Sequence, residues 1–249
     1  MKFIKHPYGN KKIAIVKFFK NFIKITIKFV LGFIFKFDKN DEIIISSAVH
    51  APWLKDKKFY QFYNKINHLT LLDEYRAYTL WQCSKNLRNM DGNILDIGCL
   101  FGGAGFLMSK INNKGNTYLF DTFSGFKKND GIHQKDIFYF KDISYVKKSI
   151  KLLKLNKTKV YKSYFPNDLK FPLKKIKLCH IDVNTYTDTK NVFEYIQDKM
   201  TKNGIIIFDD YGIWGVDGVK KLIDKIIPKY EKKFIFIKNY MGQCIMVKK

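Results

Sequence analysis

Two apolar runs, each ending in a carboxylate and joined through a glycine-rich turn, constrain this chain more than any other feature. Residues 93–105 read NILDIGCLFGGAG, and residues 117–125 read TYLFDTFSG. The first run ends in Asp96, turns through Gly98 and opens a segment containing Gly102, Gly103 and Gly105. The second ends in Asp121. A strand, a glycine turn, a helix start and a next strand tipped by an acid form the nucleoside-binding half of a Rossmann-like sheet. The glycines let the backbone approach a ligand closely. The Asp121 carboxylate can accept both hydroxyls of a ribose. The pattern therefore points to a cofactor, and through it to an enzyme.

The same alternation continues to the end of the chain. Strands are expected at 93–97, 116–121, 158–162, 177–182, 204–208, 233–237 and 243–247. Helices are expected within 60–90 and at 103–111, 144–154, 188–200 and 216–227, with Gly204 and Pro228 as punctuation. Such repetition implies an α/β fold, a mostly parallel sheet with helices on both faces. The last two runs are separated only by a short turn containing Asn239 and Gly242. They read as a hairpin that closes the sheet with an antiparallel strand. Seven strands ending in this way are the pattern of a class I methyltransferase, and a dinucleotide-dependent dehydrogenase has no reason to end so.

A chain of 249 residues holds one large domain, or one domain with an arm. We place a basic, apolar arm at 1–60 and the α/β domain at 61–249. The arm carries no acid before Asp38. Its lysine-free runs are too short to span a bilayer, and it lacks the pattern of a signal peptide. Lys17, Lys20, Lys24 and Lys28 recur at helical spacing, as in an amphipathic helix lying on an anionic membrane. Ile23, Ile25, Ile27 and Phe29 alternate with polar residues, as in a strand. The sequence leaves both open, and an apolar arm also suits a homo-oligomer. Cys83, Cys99, Cys179 and Cys244 lack zinc or CxxC spacing and read as reduced thiols of a cytoplasmic protein.

The formal charge of +24 raises nucleic acid as a partner. Arg76 and Arg88 are the two arginines among 46 basic residues. Lysine does not make the bidentate contacts that read guanine, so specific nucleic-acid binding is set aside. A lysine-rich solvated surface remains, with general attraction for anionic substrates or membranes.

Three further acids fall at expected strand tips. KLCHIDVNTY carries Asp182, and GIIIFDDYG ends its strand in Asp209 and Asp210. Adjacent carboxylates under an apolar strand repel each other unless a cation neutralises them. A hard divalent ion with oxygen ligands, magnesium foremost, fits this set, although either aspartate could instead cap the next helix. His180, inside a strand, reads as a hydrogen-bonded core residue.

Taken together, DIGCLFGGAG, FDTFSGF, HIDVNTY and IIIFDDYGIWGVDGVKKLID resemble the TylF/MycF (macrocin) family of S-adenosylmethionine-dependent sugar O-methyltransferases, over roughly residues 70–249. The resemblance implies S-adenosylmethionine as cofactor, with Asp96, Gly98 and Gly102 at its methionine end and Asp121 on its ribose. Ser163, Tyr164 and Phe165 would close around the adenine. It implies magnesium on Asp182, Asp209 and Asp210. The family's general base is a second aspartate two residues after the first metal ligand. Here that position is Asn184, and an amide takes no proton at neutral pH.

Three accounts of that departure stand side by side. His133, in the loop after the second strand tip, serves as base. Alternatively the metal lowers the hydroxyl pKa enough for water or a ligating carboxylate to suffice. Or the protein binds the cofactor without transferring methyl, as an interaction module docked on a membrane or partner. Tyr186, Tyr211 and Trp214 are expected as walls of the acceptor pocket. A lysine-rich rim would suit a nucleotide-linked or surface-glycan sugar. The lysine-, isoleucine- and asparagine-rich composition fits an AT-rich bacterial genome and polysaccharide biosynthesis.

Overall fold

The computed structural model describes residues 22–31, 51–126, 138–213 and 216–249. The chain divides into two units, Met1–His50 and Ala51–Lys249. In the first, residues 22–31 are helical (α1), so the strand reading of 23–29 does not hold. Phe22, Ile23, Ile25, Phe29 and Val30 are exposed on α1. Lys17 and Lys20 lie outside the described residues. No described helix is long and apolar enough to cross a membrane.

The second unit begins ten residues ahead of the boundary expected at 61. Helices α2 (Pro52–Lys55) and α3 (Lys57–Ile66) belong to it, followed by a 3-10 turn at Asn67–Leu69 and α4 (Glu74–Leu87). The cause is aromatic packing. Trp53 meets Tyr75 edge-on at 4.9 Å, and the buried Phe59 stacks on Tyr63 and meets Tyr78 and Trp81. Asp73 caps α4, its carboxylate accepting from the amides of Tyr75 and Arg76.

The α/β alternation then runs β1 (Asn93–Ile97), α5 (Gly103–Lys110), β2 (Thr117–Asp121), α6 (Ile143–Leu152), β3 (Thr158–Lys162), β4 (Ile176–Ile181), α7 (Tyr186–Ile196), β5 (Met200–Phe208), α8 (Asp217–Tyr230), β6 (Phe234–Asn239) and β7 (Gln243–Lys248). One seven-stranded sheet has the order β3-β2-β1-β4-β5-β7-β6. β1 to β5 pair in parallel, and β7 pairs antiparallel with both β5 and β6. The expected terminal hairpin is present.

Side-chain alternation sorts the core into two layers. Ile94, Leu119, Leu178 and Ile207 face a cluster with α3, α4 and α5. Leu95, Phe120, Cys179, Ile206 and Phe208 face a second cluster with α7 and α8. α8 buries Val219, Leu222, Ile223 and Ile226, one stripe at helical spacing. The four cysteines are free thiols.

Three boundaries differ from expectation. α8 runs through Pro228 to Tyr230, although a proline there has no N–H for the carbonyl four residues back. Gly204 lies inside β5, where the register against β4 shifts between Ile176 and Leu178. α7 starts at Tyr186, since Thr185 accepts from the Asp188 amide and Asp188 accepts from the Thr185 hydroxyl.

Lys177 sits fully buried near the amino-terminal end of β4. Its ammonium donates to Met90 O, Asn112 Oδ1 and Lys114 O at 2.8–2.9 Å. It ties together two loops, the one before β1 and the one between α5 and β2. Lys177→Met leaves those acceptors unpaired and lowers the unfolding free energy by about 3 kcal/mol in urea denaturation. A change below about 0.5 kcal/mol, the range of an ordinary surface substitution, contradicts this account.

Candidate active site

The strand order reverses between β1 and β4, and ligands of open α/β sheets bind where this happens. The backbone brings the tips level. Gly98 N donates to Phe120 O at 2.8 Å, Ser163 N to Asp121 O at 2.8 Å, Asp182 N to Ile97 O at 2.8 Å and Asp209 N to Ile181 O at 2.9 Å. Gly98 is obligatory here: its φ is +86°, and a Cβ would lie 1.9 Å from Asp182 O. The residues just past each tip are equally constrained. Leu100, Phe123, Asn184 and Asp210 all have positive φ without being glycine, and such strain gathers at functional sites.

A cavity of about 810 Å³ opens over these tips. One set of walls, from β1, β2 and β3, includes Gly98, Leu100, Asp121, Ser163, Tyr164 and Phe165. Asp121 accepts from the Leu100 amide at 2.8 Å and the Phe123 amide at 2.7 Å, one on each oxygen. Each oxygen keeps a second lone pair for a ligand hydroxyl. Burial raises the Asp121 pKa, and the two backbone amides pull against that rise. The Ser163 hydroxyl donates to Asp168 at 2.5 Å.

A second set of walls, from α4, β4 and β5, includes Arg76, Asp182, Asn184, Asp209 and Asp210. Asp209 is buried and its two oxygens are both engaged. Gln243 Nε2 donates to Oδ1 at 2.8 Å, and Arg76 Nη1 donates to Oδ2 at 2.5 Å. The same Arg76 nitrogen lies 3.4 Å from Asp210 Oδ1, while Arg76 Nε donates to Asp73 at 3.0 Å. The neutralising cation that adjacent carboxylates demand is thus supplied by the chain itself.

Behind these acids lies a buried charge relay. His180 Nδ1 is 2.8 Å from Asp96 Oδ1, its cross-strand partner on β1. His180 Nε2 is 3.8 Å from Asp209 Oδ1, an ion-pair distance too long for a hydrogen bond, and has no hydrogen-bond partner. Burial works against a charged ring, but Asp209 and Asp96 on its two sides outweigh it and hold the imidazolium up to about 10. Asp209 is correspondingly lowered: burial would raise it, and His180, Arg76 and Gln243 prevail. Burial first, and then Asp209 and Asp210, push Asp182 well up; burial and Asp209 bring Asp210 to about 6.

One ligand atom each from His180, Asp182 and Asp209 lies within 4.8 Å of the others. A charged imidazolium has no lone pair for a metal. Oxygen ligands such as the carboxylates of Asp182, Asp209 and Asp210 are the type a hard divalent ion takes, and Arg76 stands on two of the three.

Several expected site residues take other places. Asp96 and Gly102 are not among the cavity walls. Alternation along β1 turns the Asp96 side chain into the sheet–helix layer, against His180 and Gly105, and Gly102 is the buried N-cap of α5. Tyr186 packs in the core beside α7 and α8, and Tyr211 donates to Asp224 at 2.9 Å, so neither forms a wall. No lysine lines the cavity among the described residues. His133 and Trp214 lie outside the described residues. Arg76 was not anticipated, and no local pattern marks it.

His180 titrates ordinarily near 6.5 when unfolded. Its folded value of about 10 lies above that. Its stabilisation is therefore complete below about pH 6.5 and is lost as pH rises toward 10. In metal-free protein, NMR should show one of the five histidines still charged at pH 8. His180→Gln should flatten the loss of urea stability between pH 6.5 and 10; an unchanged slope contradicts the assignment.

The model of the macrocin O-methyltransferase (TylF) family matches residues 66–228. Among solved structures, the O-methyltransferase NovP superposes with a TM-score of 0.62 at 17% identity, covering 72% of this chain and 81% of NovP. The calicheamicin methyltransferase CalS11 gives 0.55 at 14% identity, over 84% of this chain and 98% of its own. An O-methyltransferase from Bacillus cereus, in complex with SAH, gives 0.52 at 16% identity over 78% and 91%. These likenesses establish the class I fold. No curated protein matches by sequence. With the family model spanning β1 to α8 and the strand-tip cavity they enclose, the chain belongs to the macrocin O-methyltransferase family.

Proposed function

We propose that the protein transfers the methyl group of S-adenosylmethionine to a hydroxyl of a sugar, nucleotide-linked or part of a surface glycan. A divalent cation, magnesium foremost, would be held by Asp182, Asp209 and Asp210. One observation carries this reading: a single cavity joins a ribose-suited carboxylate, Asp121, to a cluster of carboxylates on the neighbouring tips. CalS11 is described as a TDP-rhamnose 3'-O-methyltransferase, which supports a sugar acceptor. Charge supports the cofactor. The described walls include Asp121, Asp182, Asp188, Asp209 and Asp210 against Arg76, and S-adenosylmethionine carries a net positive charge.

When bound, S-adenosylmethionine supplies an electrophilic methyl on sulfonium and departs as a neutral thioether. A divalent ion, when bound, orients an acceptor hydroxyl and lowers its pKa. The chain's own work is positioning and proton removal. Asp121 fixes the ribose and, through the Leu100 amide, the loop after β1. Asn184 cannot take the proton but can hold the hydroxyl by its amide. Its φ of +62° is one that asparagine tolerates better than most residues. Without a cation, burial and Asp209 bring Asp210 to about 6, and burial with both neighbouring acids pushes Asp182 well up, so a carboxylate of this cluster is one candidate for that proton. His133 is the alternative base.

S-adenosylmethionine at a hundred times its Kd should raise the melting temperature by about 5–10 °C, with NAD giving none. Asp121→Asn should weaken its binding by about ten- to hundredfold in calorimetry. A shift with NAD alone would sink the methyltransferase assignment of this pocket.

Asn184→Asp tests turnover. It adds a carboxylate beside three others. Wild type should transfer methyl to a nucleotide-sugar panel, and the variant should be slower by about tenfold or more. A silent wild type that gains transfer through Asn184→Asp supports the cofactor-binding module instead.

A further inference from the structure

Arg76 is the only cation among the described cavity walls, and it stands on two of the three carboxylates assigned to the metal. Its position has two parts. The Nη1 edge meets Asp209 Oδ2 at 2.5 Å and Asp210 Oδ1 at 3.4 Å. The Nε edge meets Asp73 Oδ2 at 3.0 Å, and Nη2 is 3.4 Å from Leu71 O. Asp73 lies outside the acid cluster, at the N-cap of α4, and its side chain is 42% exposed. Arg76 therefore has a perch that survives if its contact with the cluster breaks.

Asp209 is heavily engaged, with one cation already held against Oδ2. Its Oδ1 serves Gln243 and faces His180, and its Oδ2 serves Arg76. An ion bound through the remaining lone pair of Oδ2 would stand directly beside the guanidinium. Two positive charges cannot share that oxygen without a large electrostatic cost. His180 Nε2, buried and without a hydrogen-bond partner, still faces Asp209 from behind and holds its charge whichever cation is in front.

We propose that Arg76 and a divalent cation are alternative counter-ions of the same carboxylates, so that the cation binds by displacing Arg76 from Asp209 and Asp210 onto Asp73. This rests on the metal assignment of the proposed function. The exchange lets three neighbouring acids persist in a folded chain without metal. It also makes metal affinity a property set by α4, an element outside the ligand set. Arg76 is in this sense a positioning residue.

Mn2+ is the probe, followed by electron paramagnetic resonance on the full chain. Arg76→Gln removes the charge and keeps most of the length. It should tighten Mn2+ binding by about ten- to hundredfold, the usual range of coupling between sites. Arg76→Lys keeps the charge but not the fork and should tighten Mn2+ binding less than Arg76→Gln does. Without metal, Arg76→Gln should melt below wild type, and saturating Mn2+ should raise its melting temperature more than that of wild type. A wild-type measurement covers a variant that fails to fold. The chain has two arginines, so the arginine Nε–H spectrum holds two signals. Saturating Mg2+ should move the Arg76 signal. Mn2+ bound by wild type but no tighter by Arg76→Gln, or an Arg76 signal unmoved by Mg2+, overturns the exchange and leaves the metal assignment standing. No Mn2+ binding by any form at millimolar concentration overturns both.

Discussion

Three carboxylates crowded at the tips of β4 and β5 set the terms for the structure around them. Burying a single unpaired charge costs several kcal/mol, and Asp209 is buried almost completely. The chain meets that cost with groups from separate elements: Arg76 of α4, His180 of β4 and Gln243 of β7. Asp96 of β1 balances His180, and Asp73 balances Arg76. Lys177 and its acceptors apart, most of the remaining core is apolar and exchangeable by volume. This network is not, because removing any one member strands a buried charge on another. It also explains why an otherwise apolar central strand carries a histidine, and why the closing strand begins on a fully buried glutamine.

The same network sits beside the strained loop residues. Leu100 and Phe123 hold unfavourable φ angles while their amides converge on Asp121, and Asn184 and Asp210 do so beside the acid cluster. Each such residue costs of order 1–3 kcal/mol, so the sheet must over-determine them. It does so by register: Ile97 is matched to Phe120 and Ile181, and Ile181 to Phe208, which leaves the residue after each strand no freedom to slide.

Strand–helix alternation is a local property, and the chain displays it openly. The strands of the sheet and the closing hairpin were legible for that reason, as was the gathering of Asp121, Asp182, Asp209 and Asp210 on one face. Side-chain direction at the first tip was harder. Asp96 lies one residue inside β1, so the pleat turns it away from the cavity toward His180, and a motif read as a string does not carry the pleat. Arg76 could not be read at all. It meets Asp209 across 133 positions of sequence, and a scarce arginine in a lysine-rich chain is visible only as a count. Its scarcity served to set nucleic acid aside. The more telling question is what a chain with 46 basic residues and two arginines uses one of them for. A planar fork that can hold Asp73 with one edge and Asp209 with another answers it, because a lysine ammonium could not do both.

Charge is distributed in opposite senses at two scales. The whole chain carries +24, yet the described cavity walls carry five aspartates and one arginine. The exterior draws anions from a distance within a Debye length of about 8–10 Å, and the chamber repels them on arrival. On the proposed function, a cationic cofactor would meet the reverse: weak repulsion by a screened exterior and attraction inside, where screening is poor. For an acceptor bearing phosphate these two fields impose an orientation. On the proposed function its sugar hydroxyls would enter toward Asp182 and Asn184, and its phosphates would stay outside, among solvated lysines. Displacing Arg76 onto Asp73 leaves the guanidinium on the cavity wall while a divalent ion adds charge at the cluster, so the chamber becomes less acidic when the metal arrives. On the exchange proposed here, the cation that activates a hydroxyl also lowers the barrier to an anionic acceptor, and the order of binding follows from electrostatics: metal before acceptor.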